Sequence, residues 1–210
     1  MKNINQKIKK TIIGAIVLFL CSLIIPVSLF AQQMDYGVKG GINISNLFID
    51  EADDESARTG FHGGFYAKIP AGANFAIQPE LLFNTKGTNA EYDNGNADFR
   101  LNYIDIPVLA DFRLGNSADI YVGPYLGILL NNRVDTDGAL SADLQEFDRS
   151  DFAPLDFGLS AGFGLNFEIF SIGTRYNLGL VQVAKSEDAE VLMGNARNSL
   201  AQVYLAFPLR

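Results

Sequence analysis

The 210-residue sequence has one cysteine, one histidine and no tryptophan. A lone thiol forms no internal disulfide, and one thiol with one imidazole cannot complete a Cys/His metal site. Basic residues are outnumbered, 16 Lys+Arg against 24 Asp+Glu, a formal net charge of −8. Nucleic-acid phosphates repel such a chain, so no nucleic-acid partner is expected. Beyond residue 31 there is also no apolar run long enough for a membrane-crossing helix. If that part of the chain lives in a membrane, only a closed β-barrel can pair every backbone N–H and C=O there.

What is present begins with an N-terminal leader. Residues 1–10 carry Lys2, Lys7, Lys9 and Lys10 and no acid, Thr11 to Phe30 is almost unbroken apolar sequence, and Ala31 offers a small-residue exit. This pattern describes a secretory signal peptide over residues 1–31, leaving residues 32–210 as the mature domain. A retained anchor is the competing reading, since the run could span a bilayer. Pro26 near its end and Ala31 favour cleavage. Cys21 lies mid-run behind Leu20, which argues against a lipoprotein site. Cleavage at Ala31 leaves no cysteine and 12 Lys+Arg against 24 Asp+Glu, a net −12.

The remainder reads in period two. Tyr36, Val38, Gly40, Ile42 and Ile44 share one face, Gly37, Lys39, Gly41, Asn43 and Ser45 the other. Leu155, Phe157, Leu159, Ala161, Phe163, Leu165 and Phe167 alternate in the same way with Asp156, Gly158, Ser160, Gly162, Gly164 and Asn166. Successive side chains of a strand point to opposite faces, so each segment has one apolar and one small or polar face. Eight strands are expected, near 35–46, 59–69, 74–86, 98–113, 118–132, 154–167, 170–183 and 197–209. The fourth changes phase between Tyr103 and Ile104, as a bulge or a strand top clear of lipid would require.

The connections alternate. Pro70–Ala73, Leu114–Ser117 and the stretch at Glu168–Ile169 are tight, whereas 47–58, 87–97, 133–153 and 184–196 are long and carry much of the acid. All long connections then leave one rim, as in outer-membrane barrels with short periplasmic turns and longer extracellular loops. The expected fold is an all-β, eight-stranded antiparallel transmembrane barrel closed by its first and last strands.

A soluble lipocalin-like barrel shares the period but turns its apolar face inward. Here the non-apolar faces mix glycine with charge, which suits the narrow interior of eight strands. Lys39, Glu80, Asp105, Asp156 and Arg175 form a candidate lumen charge cluster, either an ion or solute path or, favoured here, an internal salt-bridge plug. Tyr36, Phe75, Phe112, Phe167, Phe170 and Phe207 fall near the short-turn rim at lipid-facing parity, an expected periplasmic aromatic girdle.

Seven segments, Gly37–Ser45, Gly60–Ala67, Ile77–Gly87, Tyr103–Leu114, Val122–Leu130, Phe157–Phe167 and Thr174–Leu180, resemble the PorT-like outer-membrane barrels of the Bacteroidota. The resemblance spans essentially the whole mature chain. It implies a barrel in outer-membrane lipid, recognised by the outer-membrane assembly machinery, with a role as a secretion accessory as one possibility; a monomer is expected. Such barrels typically end on an aromatic residue, whereas this chain ends Phe207-Pro208-Leu209-Arg210.

Little points to catalysis. His62 is expected at lumen parity near the extracellular rim, where it could act as a general base. No G-x-S-x-G elbow accompanies it. Asp135-Thr136-Asp137-Gly138 matches part of a calcium loop but lacks the distal Glu, and the glycines match no phosphate-cradling motif. No cofactor, metal or catalytic residue is assigned. The expected function is that of a non-enzymatic outer-membrane barrel with long acidic extracellular loops for structural or interaction roles. Solute transport, a soluble ligand-binding barrel and a barrel enzyme are the alternatives.

Overall fold

The computed structural model describes residues 34–48, 54–92, 95–115, 117–138, 152–183 and 197–209. The leader expected at 1–31, and the central parts of three connections at 49–53, 139–151 and 184–196, lie outside the described residues.

Eight antiparallel strands follow in order: β1 (Asp35–Phe48), β2 (Asp54–Pro70), β3 (Phe75–Tyr92), β4 (Gly95–Leu114), β5 (Ala118–Gly138), β6 (Leu155–Asn166), β7 (Ser171–Gln182) and β8 (Arg197–Pro208). Each pairs with its neighbours in sequence, and β1 also pairs with β8 from Gly37↔Pro208 to Phe48↔Arg197. The sheet closes on itself, so neither of its outermost strands is left as an edge.

The three tight turns at one rim have local causes. Ala71 N–H donates to Phe75 O (2.9 Å), and Phe167 N–H donates to Phe170 O (2.8 Å). Between β4 and β5, Gly115 has φ +68°, a left-handed conformation that a side chain disfavours.

At the other rim the structure departs from the sequence reading. The expected loop at 87–97 is mostly ladder. β3 and β4 pair without interruption from Gly87↔Arg100 to Tyr92↔Gly95. β5 continues beside them to Gly138, and β2 starts as early as Asp54. Above the apolar band the alternate positions Asp98, Arg100 and Asn102 of β4 are polar, so the outward-apolar signal is lost although backbone pairing persists. The barrel therefore carries a raised wall of β2 to β5, against the 12-residue strands β6, β7 and β8.

The phase change read in β4 is not a change of facing, although a bulge does lie beside Tyr103. Phe99, Leu101, Tyr103, Asp105, Leu109 and Asp111 are all buried at one parity, so β4 keeps its facing throughout. The irregularity is in β5, where Asn102 pairs with Asn131 and Tyr103 with Leu129, leaving Leu130 as the extra residue. The upper lumen is apolar, not glycine and charge alone, because Phe99, Leu101 and Leu129 are buried there. At the short-turn end Leu109, Tyr121, Tyr204 and Ala206 form a second buried cluster with Tyr66 against it.

Candidate functional site

The lumen begins with the pairing of glycine and tyrosine across strands. Tyr125 lies opposite Gly158 and Tyr121 opposite Gly162. A Cβ on Gly158 would come within 2.5 Å of Tyr125 Cε1, and one on Gly162 within 2.5 Å of Tyr121 Cε2. The inward rings thus occupy space that only a missing side chain leaves open, as suits the narrow interior of an eight-stranded barrel.

Between these rings the charged side chains meet, in two groups. In the first, Glu80 of β3 is centred between Arg175 of β7 and Lys39 of β1. Arg175 donates from Nη1 to Oε2 and from Nη2 to Oε1, both at 2.7 Å, and Lys39 Nζ donates to Oε1 at 2.7 Å. Gln78 Nε2 adds a fourth bond at 2.6 Å. In the second, Lys86 Nζ lies 3.0 Å from both Asp105 Oδ2 and Asp156 Oδ2, joining β3, β4 and β6. Tyr125 Oη and Asn198 Nδ2 also donate to Asp156 Oδ2. Counting the ionised groups, the first carries two cations and one anion, and the second one cation and two anions. Each offsets the other's excess.

Amides link the two. Asn84 Nδ2 donates to Asp105 Oδ2 at 2.7 Å, while Asn84 Oδ1 accepts from Asn43 Nδ2 and Gln202 Nε2. Charges buried in such a space persist only when paired and hydrogen-bonded. Aromatic faces add to this, with Lys39 Nζ 3.9 Å from the Tyr204 ring centroid and Lys86 Nζ 4.5 Å from that of Tyr103. Nearer the short turns, Lys68 Nζ bridges Asp111 (3.0 Å) and Asp119 (2.7 Å).

All five residues of the expected cluster face the lumen, but as parts of two groups. Sequence reasoning omitted Lys86, the cation that holds Asp105 and Asp156 together. Its signal was available: Lys86 shares the even parity of Gln78, Glu80 and Asn84 on β3. Also omitted were the inward tyrosines 103, 121, 125 and 204, because aromatics were assigned to the outer face. Arg113 shares the lumen parity of Asp105 and Asp111 on β4 but is exposed at the short-turn rim.

His62 sits at the centre of β2, level with Gly41 and Asn84, and not near a rim. Its Nδ1 is 2.7 Å from Asn43 Oδ1, an amide and not a carboxylate. No catalytic dyad is formed there. Among the described residues no group of three or more His, Cys, Asp or Glu side chains could hold a metal ion.

Outside, the facing reverses. Ile42 (59%), Leu159 (49%) and Val203 (51%) are exposed, as are Phe61, Phe65, Leu126 and Leu205. The six aromatics expected at the short-turn rim are on this face or partly covered beside it. Phe75 lies 5.2 Å from Phe112, and Phe170 4.8 Å from Phe167 and 6.4 Å from Phe207, centroid to centroid. A soluble protein does not expose a continuous band of this kind.

The sequence matches the family model described as outer membrane protein beta-barrel domain over residues 30–185. The chain belongs to that family. It is thus an outer-membrane barrel, and the apolar band is its lipid face. The match stops short of β8, so closure of this family member is seen only in the structure. Neisserial surface protein A shares its fold, at TM-score 0.50 and 16% identity, covering 85% of this chain and 100% of that one. Ail, the attachment invasion locus protein of Yersinia pestis, aligns at TM-score 0.48 and 12% identity over 85% of this chain and all of that one. No curated protein matches the sequence.

Proposed function

We propose that this outer-membrane barrel is a closed, non-enzymatic monomer whose working surface is the rim opposite the short turns. The observation that carries this reading is the plugged lumen. Arg175–Glu80–Lys39 and Asp105–Lys86–Asp156 bridge strands across the interior, and the apolar residues Phe99, Leu101 and Leu129 are buried toward the other rim. A solute path would require these bonds to break together. With the interior filled, function falls to the outer surfaces. The raised β2–β5 wall is the part of the described surface that stands beyond the apolar band. The aromatic group at the short-turn rim serves as the periplasmic girdle, and residues 1–31 as the cleaved export signal.

Purified protein inserted into planar bilayers tests the reading. Closed behaviour, with no steps above the lipid baseline, is expected, and steady single-channel conductance would overturn it. Photo-crosslinking from position 143 in intact cells then asks what the rim touches. Recovery of a secretion component would replace the general surface role with the secretion-accessory role that the PorT-like resemblance implies.

A further inference from the structure

Five buried side-chain atoms have no hydrogen-bond partner among the described residues, and three of them lie on one stretch of the lumen face. They are Ser160 Oγ of β6, and Asn177 Oδ1 and Arg175 Nε of β7. Ser160 stands directly opposite Asn177 in the β6–β7 register, and Arg175, opposite Gly162, is the next lumen-facing residue of β7. Ser160, Asn177 and Arg175 are 0%, 5% and 3% exposed. Polar groups shut away in this manner cost free energy unless something bonds them. The other two atoms lie elsewhere. Asp156 Oδ1 is beyond Gly158 and the Tyr125 ring that covers it, and Asp119 Oδ1 is at the short-turn end of β5.

The chemistry of the missing partner follows from the orientation of the amides. Asp105, ionised against Lys86, can only accept, so Asn84 turns Nδ2 toward it at 2.7 Å and keeps Oδ1 as an acceptor. That oxygen accepts from Gln202 Nε2 at 2.9 Å, and Gln202 Oε1 accepts in turn from Asn177 Nδ2 at 3.1 Å. Each amide fixes the next, so the free end of the relay, Asn177 Oδ1, is an acceptor. Arg175 Nε can only donate, and Ser160 Oγ can do either. One ligand serving all three must accept from Nε and donate to Oδ1 together. A simple anion cannot donate, and a metal cation cannot accept. Water does both, and three partners are usual for a buried water.

Side chains are also small at this height. Gly123 flanks Ser160 on β5, so no side chain from that strand competes for the space. The rings of Tyr121 and Tyr125 lie one step to either side, over Gly162 and Gly158.

We infer that Ser160, Asn177 and Arg175 form a binding site for one ordered water inside the barrel. It accepts from Arg175 Nε, donates to Asn177 Oδ1 and takes Ser160 Oγ as its third partner. The water joins Arg175, in the group around Glu80, to the amide relay that ends at Asp105, in the group around Lys86. The site rests on the lumen being filled as proposed above. Conductance and bound water are read in separate experiments, so either can fail alone.

A crystal structure of the purified, exported barrel, at a resolution that shows ordered solvent, tests the site. One water is expected within about 3.2 Å of all three atoms. Direct contact of Ser160 Oγ with Arg175 Nε or Asn177 Oδ1, without solvent density, would overturn it. An anomalous signal there after a bromide soak would make the ligand an anion and sink water. In detergent micelles, Arg175 Nε–H should show a nuclear Overhauser cross-peak to long-lived water. It should persist in Ser160→Ala, where two partners still hold the water. Its loss in that variant would place the source at the Ser160 hydroxyl and refute the site. Ser160→Asn supplies an amide that itself accepts and donates, so the water is expelled and the cross-peak lost, with heat-modifiable gel migration unchanged. An undiminished cross-peak in that folded variant would also refute the site. If Ser160→Asn does not fold, the parent and Ser160→Ala decide.

Discussion

Arg175 and Glu80 lie 95 residues apart in sequence and meet through two parallel 2.7 Å hydrogen bonds inside the barrel. The pair ties β7 to β3 across the lumen, although neither strand neighbours the other in the sheet. Glu80→Gln leaves Arg175 and Lys39 buried with no carboxylate between them. A loss of about 3–5 kcal/mol is expected, as for other broken buried pairs. Urea unfolding in detergent measures it. Replacing all three, Lys39→Met/Glu80→Met/Arg175→Met, should cost less than that single change, because no charge is then stranded. A triple variant weaker than Glu80→Gln would contradict the plug.

Gly158→Ala places a methyl group where the Tyr125 ring lies. Overpacking of this kind costs about 1–3 kcal/mol. The loss should shrink when Tyr125→Leu is combined with it, and a double-mutant cycle by urea unfolding reads the coupling. Additive effects would mean that the ring and the glycine do not compete for one space.

Leu159 sits mid-strand on the lipid face, between Pro124 and Leu178 on its neighbours. Leu159→Arg should cost about 2–4 kcal/mol when the barrel is folded into vesicles, as for arginine at the bilayer midplane. The same change on a water-facing surface would be close to neutral. Refolding titrations in phosphatidylcholine vesicles separate the two.

The wall makes a prediction about dynamics. Amides of Thr88–Tyr92 and Ala97–Asn102 belong to a continuous ladder, so they should exchange more slowly than a free loop. They should still exchange faster than Gln78–Leu82, which lie within the lipid-covered part of β3. Hydrogen exchange followed by mass spectrometry decides it, and random-coil exchange at 88–92 would restore the loop reading of 87–97.

Much of this was legible along the chain. Alternation such as Leu155 to Phe167 specifies a strand with one apolar face, and lack of an apolar helix leaves a barrel as the way to span lipid. The facing of Ile42, Leu159 and Val203 followed, as did the lumen parity of Lys39, Glu80, Asp105, Asp156 and Arg175. Parity says which side a residue takes but carries no information on height or partner. Only the tertiary structure divided those five between two groups, brought in Lys86, placed His62 at mid-height and set tyrosine against glycine. It alone extended β3 and β4 past the membrane, where pairing is held by backbone bonds and the outward side chains are no longer apolar. Strand register and closure between β1 and β8 decide these matters. They are long-range relations that local periodicity does not encode.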